Sequence, residues 1–204
     1  MTIELDHVLV AVTDLVAAAT RFAEAHDLDS IPGGRHPDWG TANRIVPLGA
    51  TYLELIAAID PVEAAESPLG RWVAGSATAS GRLLGWAVRT TKLDEIAQRL
   101  DLVPVAGSRA TSTGDVLHWR TVGVDEAIAD PSLPFFIERA SGAPFPGTAA
   151  APVAAISRLE LSGDAATLAA WLGDHTLPVE ISRGRARVER IVLAGRRGEI
   201  VIET

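Results

Sequence analysis

The sequence contains no cysteine, a single methionine and a single tyrosine among 204 residues. The absence of cysteine excludes disulfides, thiolate metal sites and cysteine nucleophiles, and it fits a reducing compartment. No apolar run approaches the roughly 18 residues that a membrane-spanning helix needs. The N-terminal residues lack both the basic region and the apolar core of a signal peptide. We therefore predict a cytoplasmic protein that does not contact a membrane.

Positive charge is also scarce, with 18 lysine and arginine residues against 26 acidic residues and a formal net charge of −8. Nucleic-acid binding needs clustered basic side chains that displace counterions, so we predict no nucleic-acid partner. The basic stretch at residues 183–197 is a local exception, and a pair of solvated strands explains it more simply. Hydrophobic residues make up 48% of the chain, which is typical of a folded globular protein.

A unit of one strand, one helix and further strands occurs three times along the chain. The first unit opens with a strand in which Val8, Val10 and Val12 alternate with His7 and other residues, and a helix follows at residues 14–26. Residues 84–93 can be laid over residues 6–15 and open the second unit, whose strands are predicted at 103–105, 116–122 and 134–139. A shorter third unit is predicted from a strand at 155–161, a helix at 164–172 and strands up to residue 203.

Repeated units of this kind predict an α+β fold, because one such unit cannot bury its sheet face alone. Two βαβββ units side by side would curl into a half-barrel with helices outside and a cavity inside. We predict this two-module domain at residues 1–140, a proline- and glycine-rich linker at 141–152 and the third βαβββ-like unit at 153–204. The third unit would pack on the first domain or pair with its copy in a homodimer.

Strand alternation selects the side chains that would face this cavity. Glu54 and Glu138 fall at the same place in the two repeats, and His7 and His118 would point inward with them. Arg120 and Phe136 would face the same space, and Arg44 lies at the place of His118 in the first unit. Two imidazoles and two carboxylates are a ligand set suited to a divalent ion such as Zn, Ni, Mn or Fe(II). A carboxylate of this set, Glu54 or Glu138, could then act as the proton-abstracting base.

Each of these residues also has a simpler interpretation. Glu54 could be an exposed edge residue, and His7 or His118 could be a histidine satisfied within the core. Glu203 falls at the corresponding place in the third unit, but Ser157 stands where His7 would be, so a surface or dimer-edge position is the better interpretation for Glu203.

The chain resembles the vicinal oxygen chelate superfamily and, within it, the glyoxalase-like domain proteins. The matching stretches are Leu5-Asp6-His7-Val8 and residues 34–43, 52–56, 85–90 and 134–138. The resemblance implies paired βαβββ modules around a metal cavity, with ligands at His7, Glu54, position 85 and Glu138. Gly85 cannot be a ligand, which leaves three ligands and His118 or water. The resemblance also implies that the glycine-rich loop borders the cavity, so His36 and Asn43 become candidate substrate contacts together with Arg120 and Phe136.

Three functions follow from these observations. The first is a divalent-metal-dependent lyase, isomerase or dioxygenase that acts on a small oxygenated substrate. The alternative is a metal-free protein of the same fold that binds or sequesters a small molecule. The third is a structural or regulatory dimer that uses the C-terminal unit as its interface. We expect a small-molecule substrate as the partner in the first case.

Overall fold

The computed structural model describes residues 2–110 and 114–203. Met1 and Thr204, the outer limits of the predicted domains, lie outside this part of the chain. The first module consists of β1 (Glu4–Ala11), α1 (Leu15–His26), β2 (Ile31–His36), β3 (Thr41–Pro47) and β4 (Tyr52–Ala58). Two connecting helices follow, α2 (Pro61–Glu66) and α3 (Pro68–Ser76).

The second module has the same order of elements with one added helix. It consists of β5 (Arg82–Arg89), α4 (Leu93–Leu100), β6 (Val105–Ala110), β7 (Val116–Val122), α5 (Val124–Ala129) and β8 (Phe135–Arg139). The third unit comprises β9 (Ala154–Gly163), α6 (Ala165–Leu172), β10 (Val179–Arg183), β11 (Arg187–Gly195) and β12 (Gly198–Glu203).

Within the described residues, the eight strands of the two modules close into a barrel in the order β1-β4-β3-β2-β6-β7-β8-β5. The first and last strands of each module pair in parallel, and β1 pairs antiparallel with β5 to join the modules. The predicted α+β fold of paired βαβββ modules with a third βαβββ-like unit is confirmed. The two predicted halves complete one another, so the cavity is the interior of a barrel.

The third unit has the same succession of elements but a different sheet. Its strand order is β10-β9-β11-β12, so β12 pairs with β11 and not with the first strand of its unit. The third unit therefore repeats the succession of elements of the two modules but not their strand order. Glu203 consequently does not lie beside Ser157 in the way that Glu54 lies beside β1, and its carboxylate pairs with Arg190 at 2.9 Å.

Strand β1 separates two apolar layers, which is why its two faces carry different residues. Val8 and Val10 are fully buried in the outer layer, which also contains Phe22 of α1. Leu9 belongs to a second buried cluster that includes Ile56 and Ile137 and lies inside the barrel. Period-two alternation in β1 thus places one row under the helix and the other row toward the cavity.

The third unit packs on the outside of the barrel through Trp171 of α6. The Trp171 indole donates a hydrogen bond from Nε1 to the carbonyl oxygen of Pro134 at 2.8 Å, and its ring lies 5.9 Å from that of Phe136. Arg99 of α4 donates to the carbonyl oxygens of Ala170 and Trp171 at 2.9 and 2.6 Å. The predicted domain limits at residues 140 and 152 stay predictions.

The segment predicted as a linker is held against the barrel. Gly49 N–H donates to the Gly147 carbonyl oxygen at 2.9 Å, and the Phe145 ring lies 5.9 Å from that of Tyr52. Two prolines of this segment, Pro144 and Pro146, line the cavity. No helix in the described part of the chain combines the length and the apolarity needed to cross a membrane.

We expect Trp171→Ala to lower the free energy of unfolding by about 3 kcal/mol, because it removes a large aromatic contact and leaves the Pro134 carbonyl without its donor. Urea unfolding followed by circular dichroism measures this loss. Val201→Ala, at a 40% exposed position on β12, is the control and should change little. Equal unfolding curves for the two variants would contradict this role of Trp171.

Candidate functional site

The barrel encloses a cavity of about 460 Å³ that opens to solvent on one side. Its walls are mainly apolar and aromatic and include Leu9, Trp39, Ile56, Val105, Leu117, Trp119, Phe135 and Ile137. Polar side chains gather in one part of this wall, which we call the polar end and which consists of His7, His36, Asn43, Glu54, Arg109 and Arg139. An apolar cavity with a few convergent polar groups is the usual form of a small-molecule site.

His7 and Glu54 meet at the polar end across two parallel strands. His7 lies opposite Tyr52 and Leu9 lies opposite Glu54 in the β1–β4 pairing. His7 Nε2 is 3.2 Å from Glu54 Oε2, and the imidazole lies flat on the Tyr52 ring with centroids 4.7 Å apart. The contact places an imidazole and a carboxylate side by side at the cavity wall.

Asp6 holds the other nitrogen of the His7 ring. A β-bulge leaves Asp6 without a partner on β5, since Leu5 and His7 pair with the successive residues Val88 and Ala87. The bulge lets two consecutive side chains meet, and Asp6 Oδ1 lies 2.5 Å from His7 Nδ1. This contact fixes the orientation of the His7 ring toward Glu54.

Arg139 completes the support behind His7. Its guanidinium forms two hydrogen bonds to the Asp6 carboxylate, one of them from Nη2 at 2.7 Å, and also donates to the Tyr52 hydroxyl at 2.9 Å. Burial alone would raise the pKa of Asp6, but the hydrogen bonds and charges of His7 and Arg139 outweigh it and hold that pKa well below its usual range. Asp6 is therefore ionised in the folded protein at neutral pH.

The second oxygen of Glu54 faces an amide rather than another acid or base. Asn43 Nδ2 donates to Glu54 Oε1 at 2.6 Å, and Arg109 Nη1 donates to Asn43 Oδ1 at 3.2 Å. Burial would raise the pKa of Glu54, but the charges of His7 and His36, the Asn43 hydrogen bond and the Arg109 charge lower it overall. The two hydrogen bonds and the cation together favour an ionised Glu54.

Two consecutive glycines of β2 make room for Arg109. A Cβ atom at Gly33 would lie 2.0 Å from Asn43 Oδ1 and 2.7 Å from Arg109 Nη1. A Cβ atom at Gly34 would lie 2.0 Å from the Ala110 carbonyl oxygen and 2.9 Å from Arg109 Cγ. A larger residue at Gly33 would displace Asn43 and Arg109, and one at Gly34 would also push β6 away from β2. The Gly-Gly pair therefore belongs to the construction of the polar end.

His36 is buried at the edge of the same group. Its Nδ1 lies 2.9 Å from Thr41 Oγ1, and its Nε2 lies 3.9 Å from Glu54 Oε1. Burial lowers the pKa of His36 to about 4, with the charges of Arg109 and His7 acting in the same direction and that of Glu54 opposing them. His36 is therefore neutral at pH 7. It lies on the cavity wall with Asn43, and the predicted contact of both with substrate stays a prediction.

Several predicted site residues point away from the cavity. The Glu138 carboxylate forms an ion pair with Arg120, which also donates to Asp94 Oδ1 of α4 at 2.8 Å. Phe136 is fully buried on the outer face against Trp171. The predictions that Glu138, Arg120 and Phe136 face the cavity are therefore wrong.

His118 and Arg44 are also outside the polar end. His118 is among the residues that line the cavity, but it is exposed and forms no metal-binding group with His7 and Glu54 in the described part of the chain. Arg44 donates to Ser30 Oγ and to the Ser30 carbonyl oxygen at 2.9 and 2.7 Å, and it does not line the cavity. The inward orientation of His118 stays a prediction, and that of Arg44 is wrong.

Both errors of strand face have a physical reason. The cavity itself is apolar, so the inward row of β7 carries Leu117 and Trp119, whereas an apolar row had been assigned to the helix side. In β8 both faces are buried, one by the cavity and one by Trp171, so Phe135, Phe136 and Ile137 form a continuous apolar run. Such a run has no alternation from which to read the face.

The donor set at the polar end does not fit the metal that the superfamily commonly carries. Within residues 2–110 and 114–203, no group of three or more histidine, cysteine or acidic side chains is arranged to hold a metal ion. Glu54 is engaged by His7 and Asn43, and the Arg109 cation lies next to Asn43. The predicted ligand set of His7, Glu54, Glu138 and His118 is not brought together.

Position 85 explains the missing ligand from the second module. A Cβ atom at Gly85 would lie 2.5 Å from Cη2 of Trp72, because the indole from α3 occupies the space that a side chain would need. Trp72 packs against the apolar cluster inside the barrel, which also contains Ala87 and Phe135. The second module thus contributes apolar surface where the resemblance implied metal ligands.

The comparisons with known proteins agree with this architecture. A family model described as "Glyoxalase-like domain" matches residues 5–177. A hypothetical protein from Staphylococcus aureus has a similar structure, with a TM-score of 0.75 at 14% identity over 96% of this chain and 92% of that chain. Methylmalonyl-CoA epimerase from Mycobacterium tuberculosis aligns with a TM-score of 0.45 at 18% identity, over 66% of this chain and 85% of that chain. No curated protein matches the sequence significantly.

The fold and the cavity define a protein of the vicinal oxygen chelate superfamily. The family match covers most of the sequence, and the chain belongs to the glyoxalase-like domain family. The similarity to the Staphylococcus aureus protein, at 14% identity, supports the fold alone.

We expect the stability of the protein to fall between pH 6.5 and about pH 4 partly because of His36. In this range the unfolded chain binds a proton that the buried ring, with its pKa of about 4, does not bind. At about 1.4 kcal/mol for each pKa unit, the loss attributable to His36 is up to about 3 kcal/mol. Urea unfolding at pH 7 and pH 4.5 should therefore show a smaller loss for His36→Gln than for the wild type.

His175→Gln is the matched control, because His175 is exposed and should leave the pH dependence unchanged. The same pH dependence in His36→Gln and in the wild type would show that the ring is not kept neutral by burial.

Proposed function

We propose that the protein binds a small, largely apolar organic molecule inside the barrel without a metal ion. The observation that carries this proposal is the cavity of about 460 Å³, whose walls are mainly apolar and at whose polar end Glu54 is engaged by His7 and Asn43. Sites of this size commonly bury most of a small ligand, while a few polar groups fix its orientation.

Aromatic side chains favour a ligand with a flat ring. The rings of Trp39 and Trp119 meet edge to face at 5.8 Å, and His36 lies 5.2 Å from Trp39 and 6.0 Å from Trp119. Such a group offers ring faces and edges to an aromatic guest, in the arrangements that aromatic pairs prefer. The group adjoins the polar end through His36, so a ring with one polar substituent would contact both regions.

Proton transfer is a second candidate function, supported by the position of His7 between Asp6 and Glu54. The Glu54 carboxylate could take a proton from a carbon atom of the ligand and return it to another, as a metal-free isomerase requires. Aromatic ketones such as 1-phenylpropan-2-one test this chemistry, because uptake of deuterium from D₂O can be followed by NMR. Exchange that the wild type accelerates and Glu54→Gln does not would support this function, and equal rates would oppose it.

The metal-dependent lyase, isomerase or dioxygenase predicted from the sequence has no complete ligand set among the described residues. Its defining residues are divided between the cavity and the outer surface, as Glu54 and Glu138 show. The homodimer and the cytoplasmic location stay predictions.

The binding proposal predicts that a bulky side chain at the cavity mouth blocks entry. Val105 lines the cavity and is 59% exposed, so Val105→Trp should fill the opening without disturbing the core. Calorimetric titration with 2-naphthamide, on protein dialysed against EDTA, should give a dissociation constant below about 1 mM for the wild type and at least tenfold weaker binding for Val105→Trp.

Val116→Trp is the matched control, because Val116 is also exposed but does not line the cavity. It should bind the probe as the wild type does. Absence of binding to the wild type, or equal affinities for the two tryptophan variants, would contradict the proposal.

A further inference from the structure

One charged side chain at the polar end forms no ion pair among the described residues. Arg139 is paired with Asp6, and Glu54 lies 3.2 Å from His7. His36, with a pKa of about 4, is neutral at pH 7. Arg109 is the charged group that remains without an ion-pair partner.

Arg109 is buried without an ionic partner. Its side chain is 8% exposed, and its guanidinium donates to the neutral amide oxygen of Asn43 at 3.2 Å. Over residues 2–110 and 114–203, no carboxylate oxygen lies within 4 Å of that guanidinium in an ion pair. Two acidic residues of α5, Asp125 and Glu126, also line the cavity, but neither forms an ion pair with Arg109. A buried charge with no counter-charge is costly unless something else neutralises it.

The side chain is nevertheless held in place at the cavity wall. Val105, Gly107 and Arg109 share one face of β6 by alternation, and Val105 and Arg109 both line the cavity. The glycines at 33 and 34 leave the space that the arginine occupies. In the described part of the chain, the Arg109 guanidinium thus reaches an apolar cavity without an ion-pair partner.

We propose that the natural ligand is an organic monoanion, an aromatic or aliphatic carboxylate, whose charged group pairs with Arg109 while its apolar body lies along the cavity walls. This inference rests on the proposed binding function and names the class of ligand. A carboxylate matches the planar guanidinium and would give Arg109 the ion-pair partner that it lacks among the described residues.

Arg109 should then be a ligand-binding residue rather than a stabilising one. Its replacement by a neutral side chain removes an uncompensated buried charge, so the unfolding midpoint of Arg109→Gln should equal or exceed that of the wild type. A purely structural arginine would give the opposite shift.

The test compares two probes of nearly equal shape, 2-naphthoate and the neutral 2-naphthamide, by calorimetric titration. The wild type should bind the acid at least about tenfold more tightly than the amide, since a hydrogen bond to a charged group is worth that much. Arg109→Gln should lose this preference and keep its affinity for the amide. Arg109→Lys should retain part of the preference because it keeps the charge.

Arg120→Gln is the matched control, because it removes one guanidinium from the outer face. It should keep the full preference for the acid. Equal binding of both probes to the wild type would overturn the carboxylate inference and leave the binding function standing. Failure of both probes to bind would overturn both proposals. A preference for the acid that persists in Arg109→Gln would overturn the role of Arg109, and this outcome is independent of the stability of the variant.

Discussion

The contact between His7 and Glu54 is the interaction on which the interior of this barrel depends. It joins the first and last strands of the first module at the cavity wall, with His7 Nε2 and Glu54 Oε2 3.2 Å apart. The contact is supported on one side by Asp6 and Arg139 and on the other by Asn43. Each group in this row satisfies its neighbour, as buried polar networks require. Arg109 lies next to Asn43 at the end of this row, and it is therefore the polar group that a ligand would contact.

The second module contributes an apolar surface opposite this row. Trp72 occupies the space beside Gly85, and Phe135 and Ile137 face the same interior. The glyoxalase-like architecture is retained, while the first module carries His7, Asn43 and Glu54 and the second adds Arg109 and Arg139 to a mainly aromatic and aliphatic surface. This division gives the cavity one polar end and apolar walls, which suits an amphipathic guest better than a bound ion surrounded by oxygen and nitrogen donors.

The sequence predicted the first module well because each strand face there has a distinct chemical character. In β1 the valines cover the helix and His7 lies on the cavity side, and in β4 Glu54 is the single acidic residue in an apolar strand. Repetition of the strand–helix–strands order was sufficient to predict the paired modules. The resemblance to the superfamily added His36 and Asn43, which lie on the cavity wall.

The side chains of the second module that face the cavity could not be predicted as well from the sequence. Trp171 of the third unit buries the outer face of β8, and no local pattern reveals a contact between residues so far apart in the chain. Arg109 was missed because the predicted strand ended at Val105, whereas β6 runs on to Ala110 through a segment that contains glycine and serine. Asp6 was missed because alternation alone places it on the face opposite His7, and only the bulge brings the two together. An acidic residue within an apolar strand was the one available signal for it.

The metal content of the purified protein tests the central claim that the polar end is complete without a metal ion. Elemental mass spectrometry of protein prepared without chelator, beside Glu54→Gln, measures it directly. The structure predicts far less than one metal ion for each chain in both proteins, because Glu54 is engaged by His7 and Asn43. A metal ion in nearly every wild-type chain that is lost in the folded Glu54→Gln variant would contradict this account.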